Sequence, residues 1–338
     1  MITIKEALTK KEMKDYVMFS FELYKNNPYW IPPIIAEELE TFDKTKNPAL
    51  QTAEAHFYLA YKDNKIVGKI AAIINWEEVN LLGKRKARFG WFDAIDDIEV
   101  TKALLDKVEE LGRKHNMDHM EGPMGFSNLD KVGILSEGFD QMGNMITWYS
   151  LPYYITHFEQ LGFIKEKEYT ESDFSFNGIN PEPFQKASEL IKKRYELRSL
   201  NFTKTKDIMP YVDKMFDLFN ETYAKLQSFV PINDIQKAYF KKKYISFINP
   251  EFIKFIVDKN DNMIAFAIVM PGFAQALKKA NGKLFPFGFY HLLQARKHSK
   301  EVVFYLIGIT PEYQSKGVTA IVFDEYYKVC QAKGIETC

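Results

Sequence analysis

The chain has 338 residues, and its 45 lysines and arginines balance 45 aspartates and glutamates, which argues against a nucleic-acid or anionic-membrane partner. Aromatic residues make up 15% of the sequence, more than a disordered chain carries, and the length is ample for two domains. The sequence has no apolar run of 18 residues and no charged-then-apolar leader, and Cys330 and Cys338 suggest no disulfide framework, so we expect a soluble cytoplasmic protein without a membrane partner.

The first half of the chain predicts one mixed α/β domain over residues 1–177. A hairpin is its strongest signal, since two apolar segments flank the turn residues 62–65. The other elements follow from apolar periodicity and from the positions of glycine and proline. In chain order we expect a strand at 2–7, a helix at 10–26, strands at 57–61, 66–74 and 89–93, a helix at 100–115, a strand from Met120, a helix at 153–163, and a start of the last strands at 165–169.

An acidic run lies between the fourth strand and the helix that follows it. It carries four carboxylates, on Asp93, Asp96, Asp97 and Glu99. These would repel a phosphate at the helix N-terminus. They either cap the helix, which favours acids in its first turn, or ligate a hard cation such as Mg²⁺ or Ca²⁺. Helix capping is the interpretation we favour.

A long connection, residues 122–152, follows the fifth strand. It is rich in glycine, aromatic residues and methionine, and loops of this length are often functional. Within it, Ser127, Asn128 and Asp130 are candidate substrate contacts. A structured loop that only packs against the domain is the alternative.

The second half repeats the order of hairpin, helix-bearing insert, strand and helix, which predicts two tandem copies. Turn residues at 173–181 mark the boundary, so we expect a linker helix within 178–194 and a second domain over 195–338. Its expected elements are a strand at 195–200, helices at 208–226 and 232–246, strands at 252–257 and 263–270, a helix at 288–299, a strand at 302–309 and a helix ending at 333.

The second copy stops after its long helix, without the later strands of the first copy. A parallel strand left unpaired at a sheet edge is an aggregation hazard. Either the chain is shortened, or the missing fifth strand comes from elsewhere, such as the first domain or a partner, and we favour a shortened chain. In the helix at 288–299 and just after it, Arg296, Lys297, His298 and Lys300 either guide a phosphate group or form a solvated helix end.

The stretch from Val302 to Gly334 organises the second copy. An apolar strand is broken by Thr310-Pro311-Glu312-Tyr313, since proline cannot continue a ladder. A turn through Gly317 then opens a helix that ends near Gly334. A strand, a glycine-bearing turn and a helix N-terminus together form an anion site, because free backbone N–H groups and the helix dipole converge on a phosphate.

This stretch resembles the GCN5-related N-acetyltransferase (GNAT) superfamily, in which a Gln/Arg-x-x-Gly-x-Gly/Ala turn after such a strand cradles the pyrophosphate of acetyl-CoA. Gln314 and Gly317 match that pattern, while Thr319 stands where Gly or Ala is usual. The resemblance implies an α/β (α+β) fold of two tandem GNAT-like domains, each a mixed, mostly antiparallel sheet flanked by helices, with the second incomplete at its C-terminus. The acidic run in place of the turn marks the first copy as degenerate for CoA.

The resemblance also implies acetyl-CoA or another acyl-CoA as co-substrate. The strand residues would polarise the thioester carbonyl, and the turn and helix residues would bind pyrophosphate. The implied cofactor-binding residues are Ile307, Gly308, Ile309, Gln314, Ser315, Lys316, Gly317, Val318, Thr319 and Ala320.

The implied activity is N-acyl transfer to an unidentified amine, a small molecule or a peptide, and the resemblance is compatible with a homodimer. The family's catalytic tyrosine lies on a helix that the second copy lacks, so Glu221 and Tyr223 are the remaining base candidates. His115 and His119 have a metal-like spacing but no third ligand, and we expect no metal. The alternative is a non-catalytic protein that uses the fold to bind an acyl-CoA, a small ligand or a protein.

Overall fold

The computed structural model describes residues 1–127, 129–226, 229–245 and 248–338, and the chain forms two compact units. Unit 1 contains residues 1–169 and 274–291, and unit 2 contains residues 170–273 and 292–338. The division into copies at 1–177 and 195–338, with a linker at 178–194, stays a prediction, because a compact unit need not coincide with a sequence repeat.

Unit 1 is built on a five-stranded sheet of order β1-β2-β3-β4-β5, antiparallel except for the parallel pair β4–β5. The hairpin, the fourth strand and the helix after it are found where the sequence predicts them. The elements of residues 1–169 are β1 Ile2–Glu6, α1 Lys10–Leu23, α2 Ile35–Thr41, α3 Ala49–Thr52, β2 Ala53–Lys62, β3 Lys65–Asn75, α4 Trp76–Leu82, β4 Lys86–Ala94, α5 Ile98–Lys114, β5 His119–Glu121 and α6 Tyr153–Gln160.

Apolar residues cover both faces of this sheet. On one face α5 packs with Val100, Leu104 and Val108, which recur every three to four residues and are fully buried. On the other face α1 contributes Tyr16 and Val17. Because both faces are covered, β3 and β4 are buried along nearly their whole length.

A network of charged side chains is buried at the start of β4. The Glu78 carboxylate accepts a hydrogen bond from Arg88 Nε at 2.8 Å, and its other oxygen lies 3.0 Å from Lys86 Nζ. Lys86 also pairs with Glu121 on β5. The side chains of Glu78, Lys86 and Arg88 are at most 3% exposed, so these charges depend on one another for compensation.

Unit 2 is built on a four-stranded antiparallel sheet of order β6-β7-β8-β9. Its apolar core lies between this sheet and α13, whose Ile321, Val322 and Tyr326 are buried. The elements that follow α6 are α7 Glu182–Tyr195, β6 Arg198–Leu200, α8 Thr205–Ile208, α9 Val212–Tyr223, α10 Asp234–Phe240, β7 Ile253–Val257, β8 Met263–Pro271, α11 Ala274–Ala280, α12 Gly288–His298, β9 Val302–Ile309 and α13 Val318–Lys333. Of these, α11 and the first residues of α12 belong to unit 1.

The residues after α13 take the place that β5 has in unit 1. Thr337 forms a parallel bridge with Glu301, at the start of β9, and an antiparallel bridge with Ser175 on its other side. Phe174 and Cys338 exchange two backbone hydrogen bonds of 2.9 and 3.0 Å. A segment that precedes the linker helix therefore supplies the outer pairing partner for this position.

Two sequence predictions are wrong at the junction. Residues 165–169, expected to begin the last strands of the first copy, form no strand, because their side chains are exposed and bury no face against the domain. The opening strand of the second copy begins at Arg198 rather than at 195, since Tyr195 still belongs to α7 and Glu196 ends that helix with a φ of 52°.

We predict that Glu78→Gln lowers the free energy of unfolding of unit 1 by about 3 kcal/mol, because Arg88 loses the charge that compensates it in the interior. All four tryptophans, at positions 30, 76, 91 and 148, lie in unit 1, so tryptophan fluorescence during urea unfolding reports on this unit. Glu110→Gln, on the exposed face of α5, is the matched control and should change the midpoint little. Equal midpoints for the two variants would contradict the prediction.

Candidate functional site

The predicted anion site is formed by β9, the turn that follows it and the first turn of α13. A short 3₁₀ turn, Pro311–Tyr313, leads from the strand to Gly317, which has a φ of 76°. Glycine is suited to this left-handed conformation, and a β-carbon there would also lie 2.9 Å from Ile191 Cδ1. Glycine therefore suits the entry into α13, since a larger residue would be strained there and would displace the tip of Ile191.

The N-terminus of α13 is open to an external anion. No side chain of the described residues caps the helix at Gly317, and its first turn contains no acidic residue. The first N–H groups of any helix lack intrahelical partners and carry the positive end of its dipole. They are the donors that a phosphate group accepts from most readily.

The corresponding helix of unit 1, α5, differs at this point. Asp97 caps it by accepting a hydrogen bond of 3.1 Å from the Glu99 N–H, and Lys62 Nζ lies 2.8 Å from the same carboxylate. The bond from Lys62 holds the pKa of Asp97 below its usual range, so this side chain stays ionised. The capping interpretation of the acidic run thus applies to Asp97, and the chain's own carboxylate occupies the position that a phosphate would need.

Two polar side chains bond the backbone of β9. Gln314 Nε2 donates to the Ile309 carbonyl at 3.1 Å, and Tyr223 Oη donates to the Ile307 carbonyl at 3.1 Å. A β-carbon on Gly308 would come within 2.2 Å of Phe266, so the strand is closely packed there. The pairing with β8 also skips a residue at Tyr305, which places a bulge in β9.

The structure brings most of the predicted cofactor residues together. Ile307, Gly308 and Ile309 end β9, Gln314, Ser315 and Lys316 form the turn, and Gly317, Val318, Thr319 and Ala320 begin α13.

Lys316 is held over aromatic rings beside this turn. Its ammonium lies 4.2 Å from the ring centre of Tyr313 and 5.3 Å from that of Tyr195. The side chain of Thr319, the residue that departs from the pattern, is exposed. A positive charge is thus positioned beside the open helix end.

The two base candidates differ in position and in burial. Tyr223 reaches β9, and burial raises the pKa of its phenol, so it is protonated at neutral pH and suited to donate a proton rather than to accept one. Glu221 is exposed on α9.

Two of the candidate substrate contacts in the 122–152 connection, Ser127 and Asp130, bond to each other within the loop. Asp130 accepts a hydrogen bond of 2.8 Å from the Ser127 N–H, and a β-carbon on Gly125 would lie 2.3 Å from the Asp130 side chain. Asn128 lies outside the described residues. The role of these three residues as substrate contacts stays a prediction.

The same connection covers a cavity of about 60 Å³ inside unit 1. Seven of its 22 lining residues are aromatic, and the wall includes side chains of α1, β4, the connection and α6. The aromatic residues of the wall are Tyr24, Trp30, Trp91, Phe92, Trp148, Tyr149 and Tyr154.

Asp93, from β4, is the polar centre of this cavity. Its carboxylate accepts hydrogen bonds from Ser20 Oγ at 2.7 Å and from the phenols of Tyr24 and Tyr154 at 2.8 and 3.3 Å, and it lies 3.5 Å from Lys69 Nζ. Burial, together with the charge of Asp93, raises the pKa of both phenols well above the usual value, so they remain donors.

Two further charged side chains, Lys131 and Glu38, line the cavity. Burial lowers the pKa of Lys131, against the opposing effect of the Glu38 and Asp93 charges. Sequence reasoning counted Asp93 with the helix cap and missed Lys131. A carboxylate inside the otherwise apolar strand 89–94 was the one signal that pointed to a buried site.

The backbone of β4 is strained beside Asp93. Trp91 has a φ of 45°, a conformation that bulky residues rarely adopt, and the pairing with β3 skips two β4 residues opposite one on β3. Strain of this kind collects at ligand-binding sites. The cavity of unit 1 is therefore a second candidate site, separate in character from the anion site of unit 2.

The chain has two curated relatives of comparable extent, and no model of a protein family matches it. It is 27% identical over 326 residues to Protein YghO of Escherichia coli, a match that covers 94% of this chain and 81% of that protein. It is 24% identical over 312 residues to the bacterial ceramide synthase of Caulobacter vibrioides, a match that covers 91% of this chain and 80% of that protein.

Solved structures match over the whole length of the chain. A tandem GNAT protein from the clavulanic acid biosynthesis pathway superposes with a TM-score of 0.52 at 10% identity, and the match covers 88% of that protein. The GCN5-related glucosamine N-acetyltransferase region of a fungal multi-domain GH3 β-N-acetylglucosaminidase gives 0.52 at 11% identity, where this chain spans only 35% of that protein. At such identities the likeness defines the fold alone.

The fold is therefore of the acyltransferase type, and it is the tandem GNAT-like fold that the sequence predicts. Among the described residues, no helix is both long and apolar enough to cross a bilayer. In the same part of the chain, no three His, Cys, Asp or Glu side chains gather as metal ligands would.

We predict that Asp93→Ala lowers the free energy of unfolding of unit 1 by about 3 kcal/mol, because Lys69 and two buried phenols lose their common acceptor. Urea unfolding followed by tryptophan fluorescence measures this change. Asp106→Asn breaks an exposed ion pair with Lys102 on α5 and should leave the midpoint unchanged. An Asp93→Ala protein as stable as wild type would refute the assigned role.

Proposed function

We propose that this protein is an N-acyltransferase that moves an acyl group from acyl-CoA to an amine. The observation that carries the proposal is the open N-terminus of α13 behind Gly317, in contrast to α5, whose N-terminus is capped by Asp97. One unit has an anion site after its fourth strand, and in the other unit a carboxylate takes its place. This difference favours one CoA site per chain.

Each part of the anion site has a role in this reaction. The first N–H groups of α13 and the Lys316 ammonium would bind the pyrophosphate. Among the described residues, Thr337 pairs with β9 only at the start of the strand, and the four-stranded sheet ends at this strand. N–H groups on the outer side of its C-terminal half would therefore polarise the thioester carbonyl as negative charge develops there.

The chemistry then requires two proton transfers. The neutral amine attacks the thioester carbon, a C–N bond forms, the C–S bond breaks, and the amine loses a proton while the departing thiolate gains one. We assign the second transfer to Tyr223, because its phenol is protonated at neutral pH and lies against the carbonyl of Ile307. The sequence had offered Tyr223 as a base.

For the acceptor we favour a long-chain amine. One relative is described as a ceramide synthase, and a ceramide is the amide of a long-chain amine and a fatty acid. Amide formation from an activated acyl group is the chemistry proposed here, so both the acyl chain and the acceptor would be long and apolar.

We predict that wild-type protein binds acetyl-CoA or a longer acyl-CoA with a Kd on the order of micromolar. Gly317→Glu should weaken binding at least about tenfold more than Gly317→Gln, because only the glutamate adds negative charge at the helix N-terminus. The two variants carry the same left-handed strain and the same contact with Ile191, so they differ in charge alone. Isothermal titration calorimetry measures both. Equal affinities for the two variants would contradict the assignment of a phosphate group to this site.

We further predict that acyl-CoA and a long-chain amino alcohol yield an amide and free CoA in equal amounts. Mass spectrometry detects the amide and a thiol-reactive dye detects the CoA. Tyr223→Phe should lower kcat about a hundredfold with acyl-CoA affinity unchanged, since it removes a proton donor but no phosphate contact. CoA release without amide would identify a thioester hydrolase and overturn the proposal.

A second candidate is ligand binding without catalysis, through the cavity of unit 1. The aromatic wall and the charged groups Asp93, Glu38 and Lys131 favour a small polar ligand there. Trp30, Trp91 and Trp148 line the cavity, so a titration followed by tryptophan fluorescence would report such a ligand directly. A fluorescence change with no turnover of acyl-CoA by any amine would favour this candidate.

A further inference from the structure

A cluster of exposed aromatic side chains lies between α11 and the first turn of α12. Phe285 is 75% exposed, Phe287 70%, Phe289 44% and Tyr290 53%. Of the six phenylalanines that are exposed in the described part of the chain, three lie in these residues. We call residues 284–290 the aromatic segment.

The backbone of this segment is fixed to unit 1. Gly282 accepts a hydrogen bond of 2.9 Å from the Ile35 N–H, and Lys278 donates to the Pro28 carbonyl. A β-carbon on Gly282 would lie 2.6 Å from Phe21, so this turn is closely packed. The rings are thus exposed on an anchored loop.

A tight turn then presents the rings outward. The Phe289 N–H donates to the Leu284 carbonyl at 2.7 Å, and a β-carbon on Gly288 would lie 1.9 Å from the Lys283 carbonyl oxygen. Glycine is therefore required at position 288 for the loop to close. This construction keeps Phe285 and Phe287 on the outside of the turn.

The part of the sequence that carries the aromatic segment has charges of one sign. Residues 274–300 contain no aspartate or glutamate, although the chain as a whole has equal numbers of acidic and basic residues. The six basic residues in this range are Lys278, Lys279, Lys283, Arg296, Lys297 and Lys300. The neutral total, from which the sequence argued against an anionic membrane, is thus an average that hides a local excess.

We propose that the aromatic segment docks on the surface of an anionic lipid bilayer. Aromatic rings with a fixed orientation insert at the boundary between headgroups and acyl chains, and neighbouring lysines pair with lipid phosphates. The exposed side chains of Lys279 and Lys283 belong to the same stretch as the exposed rings. A bilayer matches such a combination of rings and lysines better than a protein does, since protein surfaces usually mix both signs. The segment lies on the membrane and does not cross it.

This proposal stands apart from the acyl-transfer proposal, because it uses no residue of β9, its turn or α13. It would bring the protein to the place where long-chain substrates dissolve.

The test is co-sedimentation of the whole chain with vesicles of phosphatidylcholine, alone or with one quarter phosphatidylglycerol. We expect wild type to bind the anionic vesicles and to be released by salt. The double variant Phe285→Ser, Phe287→Ser should lose about tenfold or more in affinity, since both large apolar side chains no longer enter the interface. Lys279→Gln with Lys283→Gln should lose about fivefold for each lysine, on anionic vesicles only.

The matched controls remove the same chemistry elsewhere. Phe184→Ser with Leu190→Ser takes two exposed apolar groups from α7, and Lys204→Gln with Lys206→Gln takes two exposed lysines. Both controls should bind vesicles as wild type does.

Two results would overturn the proposal. The first is wild-type protein that fails to sediment with anionic vesicles, and the second is a Phe285, Phe287 double variant that sediments as wild type does. A change of oligomeric state in that variant by light scattering, with no vesicle binding by wild type, would assign the segment to a second copy of the chain. Calorimetry of acyl-CoA binding to the double variant keeps this outcome separate from failure of the acyl-transfer proposal.

Discussion

The N-terminus of the helix that follows the fourth strand is stabilised by a negative charge, and both units are arranged around this interaction. Backbone N–H groups at a helix start are donors without intrahelical partners, and the dipole adds positive potential. In unit 1, Asp97 supplies the charge from within the chain. In unit 2, Gly317 leaves the position open, and the left-handed turn, the packing of Ile191 and the ring-supported Lys316 are all arranged around it. The same fold therefore has one helix N-terminus that is capped by the chain itself and one that is open to an external anion.

Features set by neighbouring residues were predictable from the sequence. The two hairpins, the strand over 302–309, the glycine that enters α13 and the glycine that ends it are local signals, and the structure has each of them. Gly334 ends α13 with a φ of 62°. The tandem arrangement followed from the repetition of these signals, without any knowledge of how the strands pair.

Features set by distant residues were not predictable. The pairing of Ser175 with Thr337 joins positions 162 residues apart, and no local pattern marks either one. In the sequence Asp93 looks like part of an acidic helix start, because its partners come from other elements that the local pattern does not show. These partners are Ser20, Tyr24 and Tyr154. Charge summed over the chain likewise could not show that one stretch, residues 274–300, contains basic residues and no acidic ones.

The assignment of residues 274–291 to unit 1 has a consequence for the order in which the protein is made. A growing chain has left the ribosome through most of unit 2 before the last piece of unit 1 appears. Gly282, which packs against Phe21 and bonds Ile35, arrives about two hundred and fifty residues after them. The first unit therefore stays incomplete, with part of its surface uncovered, until synthesis of the second is well advanced. Domains usually complete their folding one after another from the N-terminus, and in this chain the completion of the first unit overlaps with synthesis of the second.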